Sequence, residues 1–178
     1  MGQSVNKELA RLVYSLIKVL NTEKNIKPFT TTVHKLIYFA LALNRTNLLK
    51  KAFIPYFYGP FSRGVAYVLD ALELAGYFIS ERTPSGRQFR IKEEKNFPEE
   101  QEIRKVIELF AQLDSSLLED TRKLAELAKV HWIVTRHPRL TPEEIVVAAD
   151  NLGWSLSSES VKECLKILEN AGLYLSKS

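Results

Sequence analysis

Residues 53–91 read FIPYFYGPFSRGVAYVLDALELAGYFISERTPSGRQFRI, and the expected fold follows from them. After an aromatic run that meets Gly59-Pro60, Ser62 is placed to cap a helix over 62–75. Its inward stripe is Phe61, Val65, Val68, Leu69 and Leu72. Gly76 then ends the helix in the manner of a C′ glycine. Two strand-like runs flank Thr83-Pro84-Ser85-Gly86, a compact turn signal, and predict a β-hairpin. A helix, a glycine and a hairpin with a basic tip form the sequence outline of a winged helix. The expected class is therefore α+β and mostly helical: a winged-helix-like N-terminal unit with a β-hairpin wing, plus a helical C-terminal unit.

Upstream, Leu9, Leu12, Val13, Leu16, Ile17 and Leu20 form one helical stripe. Pro28 stops the chain, and threonines 30–32 offer an N-cap for a helix through about Leu43. Residues 52–58 suit a short strand, which Pro55 confines to an edge or a bulge and Gly59-Pro60 breaks. Downstream, EEKNFPEEQE reads as an acidic linker leading into a helix through about Leu113. Ser116 with Glu119 fits a capping box for a helix to Val134, and Thr141-Pro142-Glu143-Glu144 is a stronger start signal of the same kind. A last helix runs from near Ser158 to Gly172. The expected division is a winged-helix-like domain at 1–92, a linker and connecting helix at 93–115, and a helical domain at 116–178. VAYVLDALELAGYFIS (65–80) and VKECLKILENAGLYLS (161–176) share apolar positions and an Ala-Gly end, which fits either a degenerate second winged helix or a chance match of two short helices.

The overall charge of +4 conceals an asymmetry. Residues 1–92 carry 14 Lys+Arg against 5 Asp+Glu, and residues 93–178 carry 11 against 16. A basic half points to a polyanionic partner, or to neutralisation by the acidic half across an internal interface. No apolar run approaches the length of a membrane span, and the N-terminus does not read as a signal peptide, so a cytoplasmic protein with no membrane partner is expected. Cys164 is the lone cysteine, and His34, His131 and His137 lie in no zinc-type spacing, so no metal is expected. Neither a Ser-His-Asp order, a phosphate loop nor a dinucleotide fingerprint occurs, so the expectation is a non-enzyme without cofactors.

VHKLIYFALAL, FIPYFYGPFSRGV and LDALELAGYF together resemble the YwgA-like and Panacea-type proteins over roughly residues 28–80. Their pattern is a Lys-Leu-aromatic helix, an aromatic-Gly-Pro turn, then a helix closing on Gly-aromatic. LAELAKVHWIV and TPEEIVVAADNLGW are similar to the YwgA-like C-terminal region. The resemblance implies an antitoxin-type module that holds a toxin-like partner by protein contact, and it implies no catalytic residues.

Two functional readings follow. In the first, the chain is a non-catalytic nucleic-acid-binding or transcription-regulator-type protein on duplex DNA. Ser62 and Arg63 open the helix that would enter the groove, while Arg82, Arg87, Arg90 and Lys92 surround the wing turn as unpaired cations. Against direct base reading, Asp70 and Glu73 share the outer face, and roughly 18 residues separate the two helices where a helix-turn-helix has three or four. In the second reading, Tyr56, Tyr58 and Tyr67 contact a partner protein. Otherwise the aromatics are core, with Phe53 and Phe57 against the helices and Tyr56 and Tyr58 against the wing or C-terminal half. A homodimer through the aromatic strand fits either reading. His34 is expected to be a packed side chain and Cys164 a small core residue.

Overall fold

The structure is a computed structural model that describes residues 2–95 and 97–175. Helix α1 (Gly2–Lys24) buries the whole of its predicted stripe, from Leu9 to Leu20. It ends at Asn25, a left-handed residue, and Asn21 then fastens the turn by donating to the Ile26 carbonyl at 2.8 Å. Helix α2 (Thr30–Leu43) is buried at every position from Thr32 to Ala42 and is the central rod of the molecule. The threonines do not cap it. Its N-cap is Phe29, in extended backbone bridged to Gln88, and no side chain caps the helix. The hydroxyls are engaged elsewhere: Thr30 donates to the Arg87 carbonyl and Thr32 pairs with Thr121.

A short helix α3 (Asn47–Ala52), not foreseen from the sequence, leads to strands β1 (Ile54–Tyr56) and β2 (Gly59–Phe61). These pair antiparallel, with Pro55 opposite Pro60 and Tyr56 opposite Gly59. Gly59-Pro60 therefore does not break the strand; the reversal lies at Phe57-Tyr58, and Gly59 opens the return strand at φ +94°. Two prolines face to face leave few donors for a longer ladder, so the pair stays at three residues each.

Helix α4 (Arg63–Leu74) is capped by Ser62, whose Oγ accepts from the Val65 amide at 3.2 Å. At its end the Gly76 amide donates to Glu73 and the Tyr77 amide to Leu72, a Schellman closure. Strands β3 (Phe78–Thr83) and β4 (Gly86–Ile91) form the second hairpin, with Thr83 opposite Gly86 and the loop at Pro84-Ser85. The inward residues Phe78 and Phe89 are buried; α1 packs on β4, and α4 packs on β3. The Ile91 amide donates to Asn21 Oδ1 at 2.8 Å, joining the end of β4 to α1.

Helix α5 (Gln101–Leu113) leads through a 3₁₀ turn (Ser115–Leu118) to α6 (Thr121–Val134), α7 (Pro142–Asn151) and α8 (Ser158–Asn170). Ser116 lies inside the 3₁₀ turn; α6 is capped instead by Asp120, which accepts from the Lys123 amide at 2.9 Å. The Thr141–Glu144 capping box is complete in both directions. The echo between 65–80 and 161–176 extends to structure at the helix ends, because Gly172 and Leu173 close α8 as Gly76 and Tyr77 close α4. No strand follows α8 among the described residues.

The chain is thus α+β and mostly helical. A single cluster of buried apolar side chains runs from Leu9 to Leu168, and α2 carries it across the middle by packing on α1, α5 and α6. Each fully buried Leu, Ile, Val or Phe in it contributes about 1.5–3 kcal/mol relative to exposure. Among the described residues no helix is long and apolar enough to cross a membrane.

Candidate functional site

The aromatic run divides at Phe53. That ring is buried, edge-on to Tyr38 at 5.4 Å between centroids. Beyond it the chain leaves the core: Tyr56 is 50% exposed, Phe57 72% and Tyr58 69%. Phe57 does not face the helices, because the reversal at Phe57-Tyr58 interrupts the alternation of a strand and turns both rings to solvent. The backbone carrying these rings is held at three points. Trp154 Nε1, from the loop between α7 and α8, donates to the Tyr56 carbonyl at 2.6 Å. Lys35 Nζ donates to the Pro60 carbonyl at 2.7 Å, and His34 Nε2 lies 3.2 Å from the Ser62 carbonyl. Phe61 stacks on His34 with centroids 4.7 Å apart, and Tyr56 leans on Phe61 at 5.1 Å.

Beneath the hairpin α2 presents a row of buried polar groups. His34 has a backbone carbonyl at each ring nitrogen, Thr30 at 2.9 Å and Ser62 at 3.2 Å, so the neutral ring can donate to only one. Burial, reinforced by the Lys35 charge, nevertheless holds it well below the usual histidine range, at about 4. Lys35 is 2% exposed, and burial followed by repulsion from Lys129 brings its ammonium down to about 7. Tyr38 meets His131 Nδ1 at 2.6 Å, linking α2 to α6. Burial raises the phenol and, with Arg136 adding to it, lowers the imidazole to about 4, so both partners of this hydrogen bond are neutral. Cys164 is buried on α8. Among the described residues no group of three or more His, Cys, Asp or Glu is placed to hold a metal ion.

The basic residues of the second hairpin do not share one surface. The register sets Arg82 opposite Arg87, on the face that also carries Phe78 and Phe89, while Arg90 lies opposite Ile79 on the other. Arg87 is not an unpaired cation. It meets Asp70 at 2.7 Å and Glu73 at 3.4 Å, and lies 4.7 Å from the centre of the Phe89 ring. Ser62 is wholly buried as the cap of α4 and presents nothing to solvent. Arg63, Arg82, Arg90 and Lys92 are exposed and have no ion-pair partner among the described residues. Tyr67, 62% exposed, lies with Arg63, Asp70 and Leu74 along the outer stripe of α4.

Ion pairs among the described residues do not neutralise the two oppositely charged halves across their junction. Among the described residues the pair that joins them is Glu23–Arg104 at 2.7 Å, in which the acid comes from the basic half. The sequence reading did not single out Lys35 or Trp154. For Lys35 a signal existed: the run from Val33 to Ala42 is apolar on every helical face apart from it and His34, so a lysine there has to be buried. No protein-family model matches the chain, and no curated protein matches it at a significant level.

Proposed function

We propose that the chain is a non-catalytic protein-interaction module whose contact surface is the aromatic hairpin β1–β2. One observation carries this reading: Tyr56, Phe57 and Tyr58 are exposed on a backbone held by Trp154, Lys35 and β2. Large aromatic side chains already in place lose little entropy on docking, which is the character of interface hot spots. The resemblance to Panacea-type antitoxin modules points the same way. In this reading α1, α2, α4 and the β3–β4 hairpin, with Phe29 bridged to its edge, form a winged helix. The aromatic hairpin is then an insertion where a DNA-reading unit has its short turn. A tagged full-length chain expressed in its source cells should retain a partner protein. The double variant F57S/Y58S should lower recovery of that partner at least tenfold while its melting temperature stays within about 2 °C of the parent. Undiminished recovery would overturn the proposal.

A second reading, non-specific contact with duplex DNA, is favoured by the exposed Arg63, Arg82, Arg90 and Lys92 and by the basic charge of the first half.

A further inference from the structure

Under the aromatic hairpin lies a cavity of about 180 Å³, with Thr30, Thr31, His34 and Lys35 on the α2 side and Tyr56, Tyr58, Gly59 and Phe61 on the other. It is smaller than the roughly 300–1,000 Å³ of a typical small-molecule site, so it suits one side chain better than a cofactor. Most of its wall is apolar, and its charged group is incomplete. An ammonium has three donors, and among the described residues Lys35 Nζ has one acceptor, the Pro60 carbonyl. No carboxylate of the described residues lies within ion-pair reach of it. The one charged neighbour that perturbs it is another cation, Lys129 of α6, whose side chain also borders Gly59. A buried cation with neither a counter-charge nor a full set of acceptors is costly, and it is the group a ligand carboxylate would complete. The first turn of α2, whose free amides favour negative charge, lines the same space through Thr30 and Thr31.

We propose that this cavity seats a carboxylate attached to a bulky apolar group, the carboxylate on Lys35 and the apolar group against Tyr56, Tyr58 and Phe61. The inference rests on the docking reading above and specifies the partner: a chain end with an apolar last residue, or an acidic side chain beside an apolar one. Lys35 becomes the residue that selects for charge, and the tyrosines become the rim.

The test titrates the ¹⁵N-labelled full chain with three peptides, followed by amide resonances. The first is acetyl-Gly-Gly-Leu with a free carboxylate, the second the same peptide as its C-terminal amide, and the third acetyl-Gly-Asp-Leu-Gly-amide. The free acid should bind at least tenfold more tightly than the amide and shift the resonances of Thr31, His34 and Gly59. If the Asp peptide matches the free acid, the carboxylate comes from a side chain; if only the free acid binds, it is a chain end. Equal binding of acid and amide, or shifts confined to residues remote from the cavity, would overturn the proposal. The peptide comparison uses the unaltered protein and so stands whether or not K35M folds. In partner capture, folded K35M should lower recovery at least tenfold. If F57S/Y58S releases the partner while K35M retains it, the hairpin is a docking surface and the carboxylate seat is wrong.

Discussion

At the scale of single residues the unusual feature is a set of titratable groups whose charged forms are disfavoured by burial inside a helical core. When folded, His34 and His131 take up their second ring proton only near pH 4, whereas in the unfolded chain each does so near 6.5. The unfolded state therefore carries more protons between these values, and stability rises with pH across that window and falls on acidification. Lys35 follows the same sign higher up: about 7 folded against 10.5 unfolded, so stability rises again above pH 7. Lys129, also lowered by burial, adds to this limb. Above about pH 8.5 Cys164 opposes it, because burial raises the folded thiol to about 12 while the unfolded thiol ionises. Urea midpoints should thus climb from pH 4 to 6.5, climb further to about 8.5 and then flatten, each group contributing at most about 1.4 kcal/mol per pH unit. K35M should shrink the upper limb and leave the acid limb in place. A midpoint that falls between pH 7 and 8.5 would contradict the assignment.

At the scale of elements the aromatic hairpin depends on Gly59. Its φ of +94° suits glycine alone, and a Cβ there would sit 3.0 Å from Lys129 Cγ and 3.5 Å from the Ala125 carbonyl of α6. G59A should cost about 1–3 kcal/mol and lower the melting temperature by roughly 2–10 °C in differential scanning calorimetry. A change under 1 °C would mean that the hairpin is not seated as described. This element also marks where sequence reading failed. Helical stripes such as Leu9–Leu20 and caps such as Thr141–Glu144 declare themselves through spacing and were legible. The reversal at Phe57-Tyr58 carries no turn residue, and the strong Gly-Pro signal beside it drew the turn two residues too late. What holds the turn is tertiary: a tryptophan from residue 154 and a lysine from residue 35, neither of which local pattern can connect to it. The start of α6 was misread for a simpler reason. Ser116 and Asp120 are both good caps, and the sequence does not say which one precedes the longer helix.

At the scale of the whole molecule, charge and core have separate designs. The core is continuous through α2, while the surplus cations of residues 1–92, Lys35 apart, stay on the surface. If those cations serve nucleic acid, at most three phosphate contacts form at once, from Arg63, Lys92 and one of Arg82 and Arg90, and binding should weaken about fortyfold between 50 and 200 mM salt. Fluorescence anisotropy on random duplex DNA measures this. A ribbon lying flat on phosphates presents one face, so R82A and R90A, on opposite faces of the β3–β4 hairpin, should have unequal effects. Absence of binding at low salt would remove the DNA reading and leave the protein-docking one. The C-terminal helices offer a different kind of access. Cys164 is the chain's single thiol, and it is buried on α8, the helix that packs on α6 and α7. A thiol reagent can reach it only while α8 is lifted from that seat. The molecule therefore carries its own event counter: with reagent concentrated enough to react faster than α8 recloses, the rate of labelling in native buffer is the frequency at which that helix comes undone.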